Sequence, residues 1–135
     1  MKMPTLFVSH GAPTLPLEPG LTGAAWQKIA AQLPKPSAIL VISAHWEMDI
    51  PTVSSAVKPE TIHDFSGFPE ALYQLQYPAP GSPELAQATA SALQHAGISA
   101  QLNSVRGLDH GAWVPLSLMY PAADIPVAQL SLQPD

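Results

Sequence analysis

Three histidines of this chain have neighbours and positions that suit chemistry. His10 precedes Gly11, His45 precedes Trp46, and His110 lies between Asp109 and Gly111. Imidazole is the commonest metal ligand among side chains and the commonest general acid or base. Each of these histidines lies where a predicted strand passes into a loop, which is the edge at which open α/β sheets bind ligands. The sequence therefore predicts that the three side chains converge on one site.

His10 and His45 form the stronger pair. The predicted strands at residues 5–9 and 37–44 flank one predicted helix, as in a right-handed βαβ unit, so they are expected to be neighbours about 4.8 Å apart. Two imidazoles at adjacent strand ends can bind one divalent ion. Small residues beside both histidines leave room for such an ion. The alternative is that each histidine is a polar residue satisfied locally at a strand end.

His110 and its neighbours suggest a second contribution to the same site. Asp109 is placed to orient an imidazole or to raise its pKa. A helix beginning at Gly111 would present backbone N–H groups that can hold an anionic oxygen. The alternative interpretation is a helix cap at Asp109 with His110 as a surface neighbour.

The loop at residues 63–69 combines an imidazole, a carboxylate and two aromatic rings, from His63, Asp64, Phe65 and Phe68. Such a loop can close over an aromatic substrate and exclude water. The simpler alternative is that the two phenylalanines anchor a long loop to the core. Trp46 and Trp113 likewise either wall a flat pocket or belong to the core or to a subunit contact.

The elements that must position these residues follow from hydrophobic periodicity, capping residues and prolines. We expect strands at residues 5–9, 37–44, 52–56, 98–105 and 127–132, and helices at residues 22–33, 70–74, 82–96 and 111–119. The run at 37–44 is apolar on both faces, as a central parallel strand requires. The pattern predicts an α/β fold in which helices flank a mostly parallel central sheet. Since residues 133–135 end where a strand should pass into a loop, residues 1–135 are expected to be the N-terminal part of a larger single domain.

Composition and charge exclude several classes of function. The net charge of −5 argues against nucleic acid as a partner, and no apolar run approaches the roughly 20 residues of a membrane span. There is no cysteine, so a metal would need His, Asp or Glu ligands. Only 11% of residues are charged, against about 25% in ordinary domains. That deficit indicates either that a partner covers much of the surface, as in a homo-oligomer, or that the chain is part of something larger. The default location is cytoplasmic.

Four ordered motifs together resemble the class III extradiol ring-opening dioxygenases, and most closely their 4,5-DOPA extradiol dioxygenase branch. The motifs are Ser9-His10-Gly11-Ala12-Pro13, Ser43-Ala44-His45-Trp46, the loop at residues 63–69, and the segment at residues 107–116. The resemblance extends in order to residues 129–132. Family members are roughly twice as long, and their remaining metal ligands lie in the second half.

The resemblance implies a single mononuclear Fe(II) or Zn(II) site with His10 and His45 as ligands. It also implies that His63 and His110 act as catalytic acid or base groups near the metal. Asp64, Phe65, Trp46 and Asp109 are then expected to line the substrate site. The implied reaction opens a small aromatic diol beside its hydroxyl groups and incorporates both atoms of O2.

Two other functions remain open on the sequence. A domain of this fold can bind metal without being an enzyme and serve as a scaffold or partner-binding module. Zinc held by two histidines can also activate water, as in a metallohydrolase. No nucleophilic-serine motif and no His-Glu-x-x-His pattern supports hydrolysis in this chain.

Overall fold

A mixed sheet of four strands forms the centre of the molecule. The computed structural model describes residues 2–135. The strands are β1 (Ile39–Glu47), β2 (Thr52–Ser54), β3 (Gln101–Asn103) and β4 (Val127–Leu132), in the spatial order β1-β4-β2-β3. β1 pairs with β4 and β2 with β3 in parallel, whereas β2 and β4 are antiparallel. The predicted α/β class with a mostly parallel sheet is thereby confirmed.

Helices cover both faces of this sheet. The helices are α1 (Gly20–Gln32), α2 (Glu70–Tyr73), α3 (Pro83–His95) and α4 (His110–Met119). Consecutive residues of β4 separate the two layers, since side chains alternate across a strand. Val127 packs into the cluster around α4, whereas Ala128 packs with Val53 into the cluster beneath α3. The carboxyl end of β1 and the first turn of α4 therefore meet on one side of the sheet.

The helix ends show which local signals were sufficient. Ser82 caps α3 as predicted, because its hydroxyl accepts a hydrogen bond from the Leu85 N–H and Pro83 occupies the first helical position. The prediction that Thr22 caps the first helix is wrong, since α1 begins at Gly20 after Pro19. Asp109 caps α4, and Pro115 lies inside that helix without ending it.

The strand predicted at residues 5–9 is wrong, and with it the βαβ unit built on that strand. Residues 2–10 form no helix or strand, and the Phe7 side chain is fully exposed. An apolar run becomes a strand only when a neighbouring strand accepts its backbone hydrogen bonds. β1 lies at the edge of the sheet with one side open, but residues 5–9 do not pair with that side, and β4 is the only strand that pairs with β1 among the described residues.

Within residues 2–135, no helix combines the length and the apolar character that a membrane crossing needs.

Leu72 provides a test of the core on the α4 side. Its side chain is fully buried in that cluster, so Leu72→Ala should lower the free energy of unfolding by about 2–5 kcal/mol. Leu102→Ala makes the same change on β3 at a side chain that is 43% exposed, and it should cost about 1 kcal/mol or less. Urea unfolding of both variants measures the difference. Equal losses would contradict the assignment of Leu72 to the core.

Candidate functional site

The structure brings His10, His45 and His110 together, and we call these three residues the histidine cluster. The Nε2 atoms of His10 and His45 lie 2.8 Å apart. The His110 ring centroid lies 4.0 Å from that of His45 and 4.8 Å from that of His10. One nitrogen from each residue falls within 4.8 Å of the other two. The expected convergence on one site is therefore present in the geometry.

His45 owes its position to an irregularity in β1. Ile42 pairs with Leu130 and Glu47 with Leu132, so four residues of β1 stand where β4 has one. We call residues 43–46 the β1 bulge. Bulges interrupt the ladder of hydrogen bonds and redirect side chains, often beside functional sites. In this bulge the His45 N–H donates to Oγ of Ser43 at 3.1 Å, which replaces a ladder partner with a side chain.

His110 is held by a carboxylate on the neighbouring loop. Oδ1 of Asp64 accepts hydrogen bonds from Nδ1 of His110 at 2.8 Å and from the His110 N–H at 3.0 Å. The proton on Nδ1 leaves Nε2 as the nitrogen with a free lone pair. Burial raises the pKa of Asp64, but the two hydrogen bonds from His110 outweigh it and hold that pKa below its ordinary value of 3.8.

The loop that carries Asp64 is fixed against the start of α4. Thr61 forms a parallel bridge with Leu108, and the carbonyl of Glu60 accepts from the Leu108 N–H at 2.8 Å. Gly107 makes this approach feasible, because a Cβ at that position would lie 2.3 Å from the Glu60 carbonyl oxygen. Trp113 adds a hydrogen bond from its indole to the Ile62 carbonyl at 2.8 Å.

A fully buried carboxylate, that of Asp109, lies where β1, β4 and α4 meet. Its Oδ1 accepts from Oγ of Ser43 at 2.7 Å and from the Ala112 N–H at 3.3 Å. Its Oδ2 accepts from Arg106 at 3.2 Å and from the side-chain amide of Gln129. The guanidinium of Arg106 also lies 5.1 Å from the ring centroid of Trp46, which is a cation–π contact.

Gly111 lets α4 approach the β1 bulge. A Cβ at this position would lie 2.3 Å from Oγ of Ser43 and 2.9 Å from Cδ2 of His45. Both distances are shorter than side chains tolerate, so any larger residue would displace one of the two neighbours. The glycine is therefore required by contact between α4 and β1, and its φ is not in the left-handed region.

The electrostatic surroundings of His10 favour its neutral form. Burial lowers the pKa of His10 below its ordinary value of 6.5, and the nearby His110 and His45 lower it further. Its Nδ1 is buried and has no hydrogen-bond partner among residues 2–135. Since only a neutral imidazole offers a lone pair to a metal, this environment suits a ligand.

The remaining predicted residues lie around the histidine cluster rather than in it. Nε2 of His63 donates to the Leu75 carbonyl at 2.8 Å, and its ring packs against Trp113. Phe65 contacts the cluster directly, with its ring centroid 5.5 Å from that of His110. Trp46 and Asp109 are buried, so the role predicted for them in substrate binding would have to be indirect. Their functional roles stay predictions.

Sequence reasoning missed the supporting residues Ser43, Arg106 and Gln129. Gln129 carried a usable signal, because a glutamine inside a mostly apolar strand must find a buried partner. The sequence indicated only that Ser43 is small. Its hydroxyl can link Asp109 to the His45 N–H because of the bulge. No pattern in the sequence indicates a bulge at that place.

Gly111→Ala tests the contact between α4 and β1. Helix propensity alone would favour alanine by about 1 kcal/mol. The Cβ contacts should outweigh this preference, so that Gly111→Ala lowers the free energy of unfolding by about 1–3 kcal/mol. Changes in NMR chemical shift should be concentrated at the His45 ring. Gly20→Ala is the control, since Gly20 has φ of +51° and open space around it. That variant should show backbone strain without a His45 shift, and an unshifted His45 in Gly111→Ala would contradict the contact.

Asp64→Asn tests the partner of His110 through acid unfolding. A carboxylate with a lowered pKa stabilises the fold above its unfolded pKa, and that contribution is lost as the pH falls through the folded value. The wild type should therefore be more stable than Asp64→Asn at neutral pH, and the difference should shrink below about pH 4. Urea unfolding from about pH 7 to about pH 2 measures it. A difference that stays constant over this range would exclude the hydrogen bonds to His110 as its origin.

Similarity to known proteins agrees with this geometry. Several curated relatives carry the name 4,5-DOPA dioxygenase extradiol, among them proteins from Beta vulgaris and Escherichia coli K12. The protein from Beta vulgaris is 52% identical over 135 residues, covering 96% of this chain and 50% of the relative. The protein from Escherichia coli K12 is 48% identical over 131 residues, covering 97% of this chain and 48% of the relative. The chain thus spans about half the length of the curated relatives it matches.

A solved structure and a family model extend the comparison. The crystal structure of an uncharacterized protein from Escherichia coli K12 superposes with a TM-score of 0.65 at 41% identity, over 84% of this chain and 41% of that one. The model of the catalytic LigB subunit of aromatic ring-opening dioxygenase matches residues 5–134. The resemblance expected from the four motifs is confirmed, and the chain belongs to the family of the catalytic LigB subunit of aromatic ring-opening dioxygenases.

Proposed function

We propose that this chain provides the metal- and substrate-binding face of an extradiol dioxygenase that opens catechol-type rings, with a DOPA-like substrate. The single observation that carries the proposal is the histidine cluster, in which three imidazoles meet beside an aromatic loop. Family membership and the names of the relatives support the reaction class.

The donor set fits one divalent ion. Metal–nitrogen bonds of about 2.0–2.1 Å at roughly a right angle place two nitrogens about 3 Å apart. The Nε2 atoms of His10 and His45 lie 2.8 Å apart. We assign these two residues as ligands of Fe(II) or Zn(II). When bound, Fe(II) would supply the redox chemistry that lets a catechol react with O2, provided that coordination positions stay open.

His110 is the proposed acid and base. Because Nδ1 donates to Asp64, the Nε2 atom is free to take a proton from a substrate hydroxyl and to return it later. Asp64 keeps the ring in this tautomer and orientation. His63 stays a predicted acid or base group, although its hydrogen bond to Leu75 favours a role in holding the loop.

Phe65 is the proposed wall of the substrate site. Its ring is perpendicular to that of His110, at 89°, and also packs against Tyr73 and Phe68. A flat aromatic substrate beside His110 would therefore contact an apolar surface that is itself supported by other rings. Such a surface excludes water from the reacting groups. The cytoplasmic location, the homo-oligomer and the absence of nucleic-acid or membrane partners stay predictions.

Metal titration of the chain tests the ligand assignment. We expect one Zn(II) or Co(II) per chain in calorimetry, and loss of that binding in His10→Ala and in His45→Ala, because one remaining ligand of the pair rarely holds a metal. His95→Ala is the control, since His95 is exposed on α3 and its Nδ1 donates to the Ser91 carbonyl. Stoichiometric metal in the His10 and His45 variants would refute the assignment.

Oxygen uptake tests the reaction. With Fe(II) and a catechol, the full-length enzyme that contains this chain should consume O2 and catechol in equal amounts, and the product should be ring-opened by mass spectrometry. His110→Ala should keep the metal and lower turnover by about 10²–10⁴-fold. Metal binding without any O2 uptake in the full-length protein would instead favour a non-enzymatic metal-binding scaffold.

A further inference from the structure

The β1 bulge and the first turn of α4 share one anchor. The bulge carries His45 and the turn carries His110, and the Asp109 carboxylate contacts both. Its Oδ1 accepts from Oγ of Ser43 in the bulge at 2.7 Å and from the Ala112 N–H in the turn at 3.3 Å. We propose that Asp109 is a positioning residue that acts through Ser43 to set His45 relative to His110.

The direction of the hydrogen bonds supports this assignment. A hydroxyl has one proton, and that of Ser43 is donated to Asp109. The lone pairs of the same oxygen are then directed to other donors, and the His45 N–H donates to them at 3.1 Å. A carboxylate can only accept, so it fixes the orientation of the hydroxyl and thereby the backbone that carries His45.

The other oxygen of Asp109 explains how the charge is tolerated in the interior. Arg106 and the Gln129 amide both donate to Oδ2, so every side of the buried carboxylate is satisfied. The side chain of Arg106 is 24% exposed, whereas that of Asp109 is fully buried. The pair therefore brings one compensated charge beneath the histidine cluster. Asp109 is not placed to touch a bound molecule, and its effect must pass through Ser43.

A conservative variant follows from an unpartnered atom. Oε1 of Gln129 is buried and has no hydrogen-bond partner within residues 2–135. In Asp109→Asn the new amide can keep its oxygen toward Ser43 and Ala112 and direct its NH2 toward Gln129. The hydrogen bond from Arg106 is lost, because both groups are then donors. A flipped Gln129 amide would accept from that NH2. Asp109→Asn should thus retain the link to His45, whereas Asp109→Ala removes it.

Zinc affinity tests this inference, which rests on the proposed metal site. Ser43→Ala should weaken zinc binding by about 10–100-fold, and Asp109→Ala at least as much. Asp109→Asn should bind at least about tenfold more tightly than Asp109→Ala. Ser82→Ala is the matched control, since Ser82 caps α3 far from the cluster in sequence and should lose about 1 kcal/mol of stability without a change in zinc affinity. Wild-type affinity in folded Ser43→Ala would overturn the proposal.

Histidine NMR of the metal-free chain separates this inference from the proposed function. Ser43→Ala should shift the His45 ring signals strongly, and Asp109→Asn should shift them weakly. The His95 signals should be unchanged in both variants. If the wild type binds no zinc, the metal site is refuted, but this pattern of shifts still supports the positioning role. Unchanged His45 signals in Ser43→Ala would overturn the role whether or not zinc binds.

Discussion

The site depends on a charge kept inside the protein. The Asp109 carboxylate is fully buried, and its donors come from β1, β4, the start of α4 and the loop before α4. A buried carboxylate is costly unless a counter-charge and hydrogen bonds compensate it. Arg106 supplies the counter-charge and three other donors satisfy the oxygens. Each donor belongs to a different segment. The hydrogen bonds that allow the Asp109 carboxylate to be buried therefore also fix how the sheet and α4 meet.

Close packing makes this arrangement specific. Gly111 and Gly107 are positions at which a methyl group would collide with a neighbouring segment. The first brings α4 against the β1 bulge, and the second brings the loop with Asp64 against the start of α4. Two of the three histidines are thus carried by segments that touch each other through glycines. Protein interiors are packed densely enough that such contacts transmit displacement instead of absorbing it.

Local patterns in the sequence predicted most of the elements and the three members of the histidine cluster. Ser82 and Pro83 marked the start of α3, and the apolar run that became β1 was clear without any tertiary information. The motif context of His10, His45 and His110 was sufficient to expect a shared site. The run at residues 5–9 failed because its apolar pattern fits a strand, whereas strand formation depends on a partner that no local pattern reveals.

The supporting residues were harder to foresee for the same reason. Ser43 gains its importance from a bulge, and a bulge is a property of two paired strands. Arg106 and Gln129 matter because they meet Asp109, which lies 3 and 20 positions away in the chain. Single residues of these types are common on protein surfaces. Only their convergence in space gives them a function.

The histidines differ in how firmly the protein holds them. His45 lies in the sheet and His110 in a helix, but His10 follows residues 2–9, which form no helix or strand and are largely exposed. Fixing the backbone of a residue costs about 1–2 kcal/mol. Because no helix or strand holds residues 2–9, a metal bound by His10 would also contribute to fixing their backbone. Affinity at the site would then depend on residues outside it, since whatever rigidifies residues 2–9 preorganises His10 as a metal ligand.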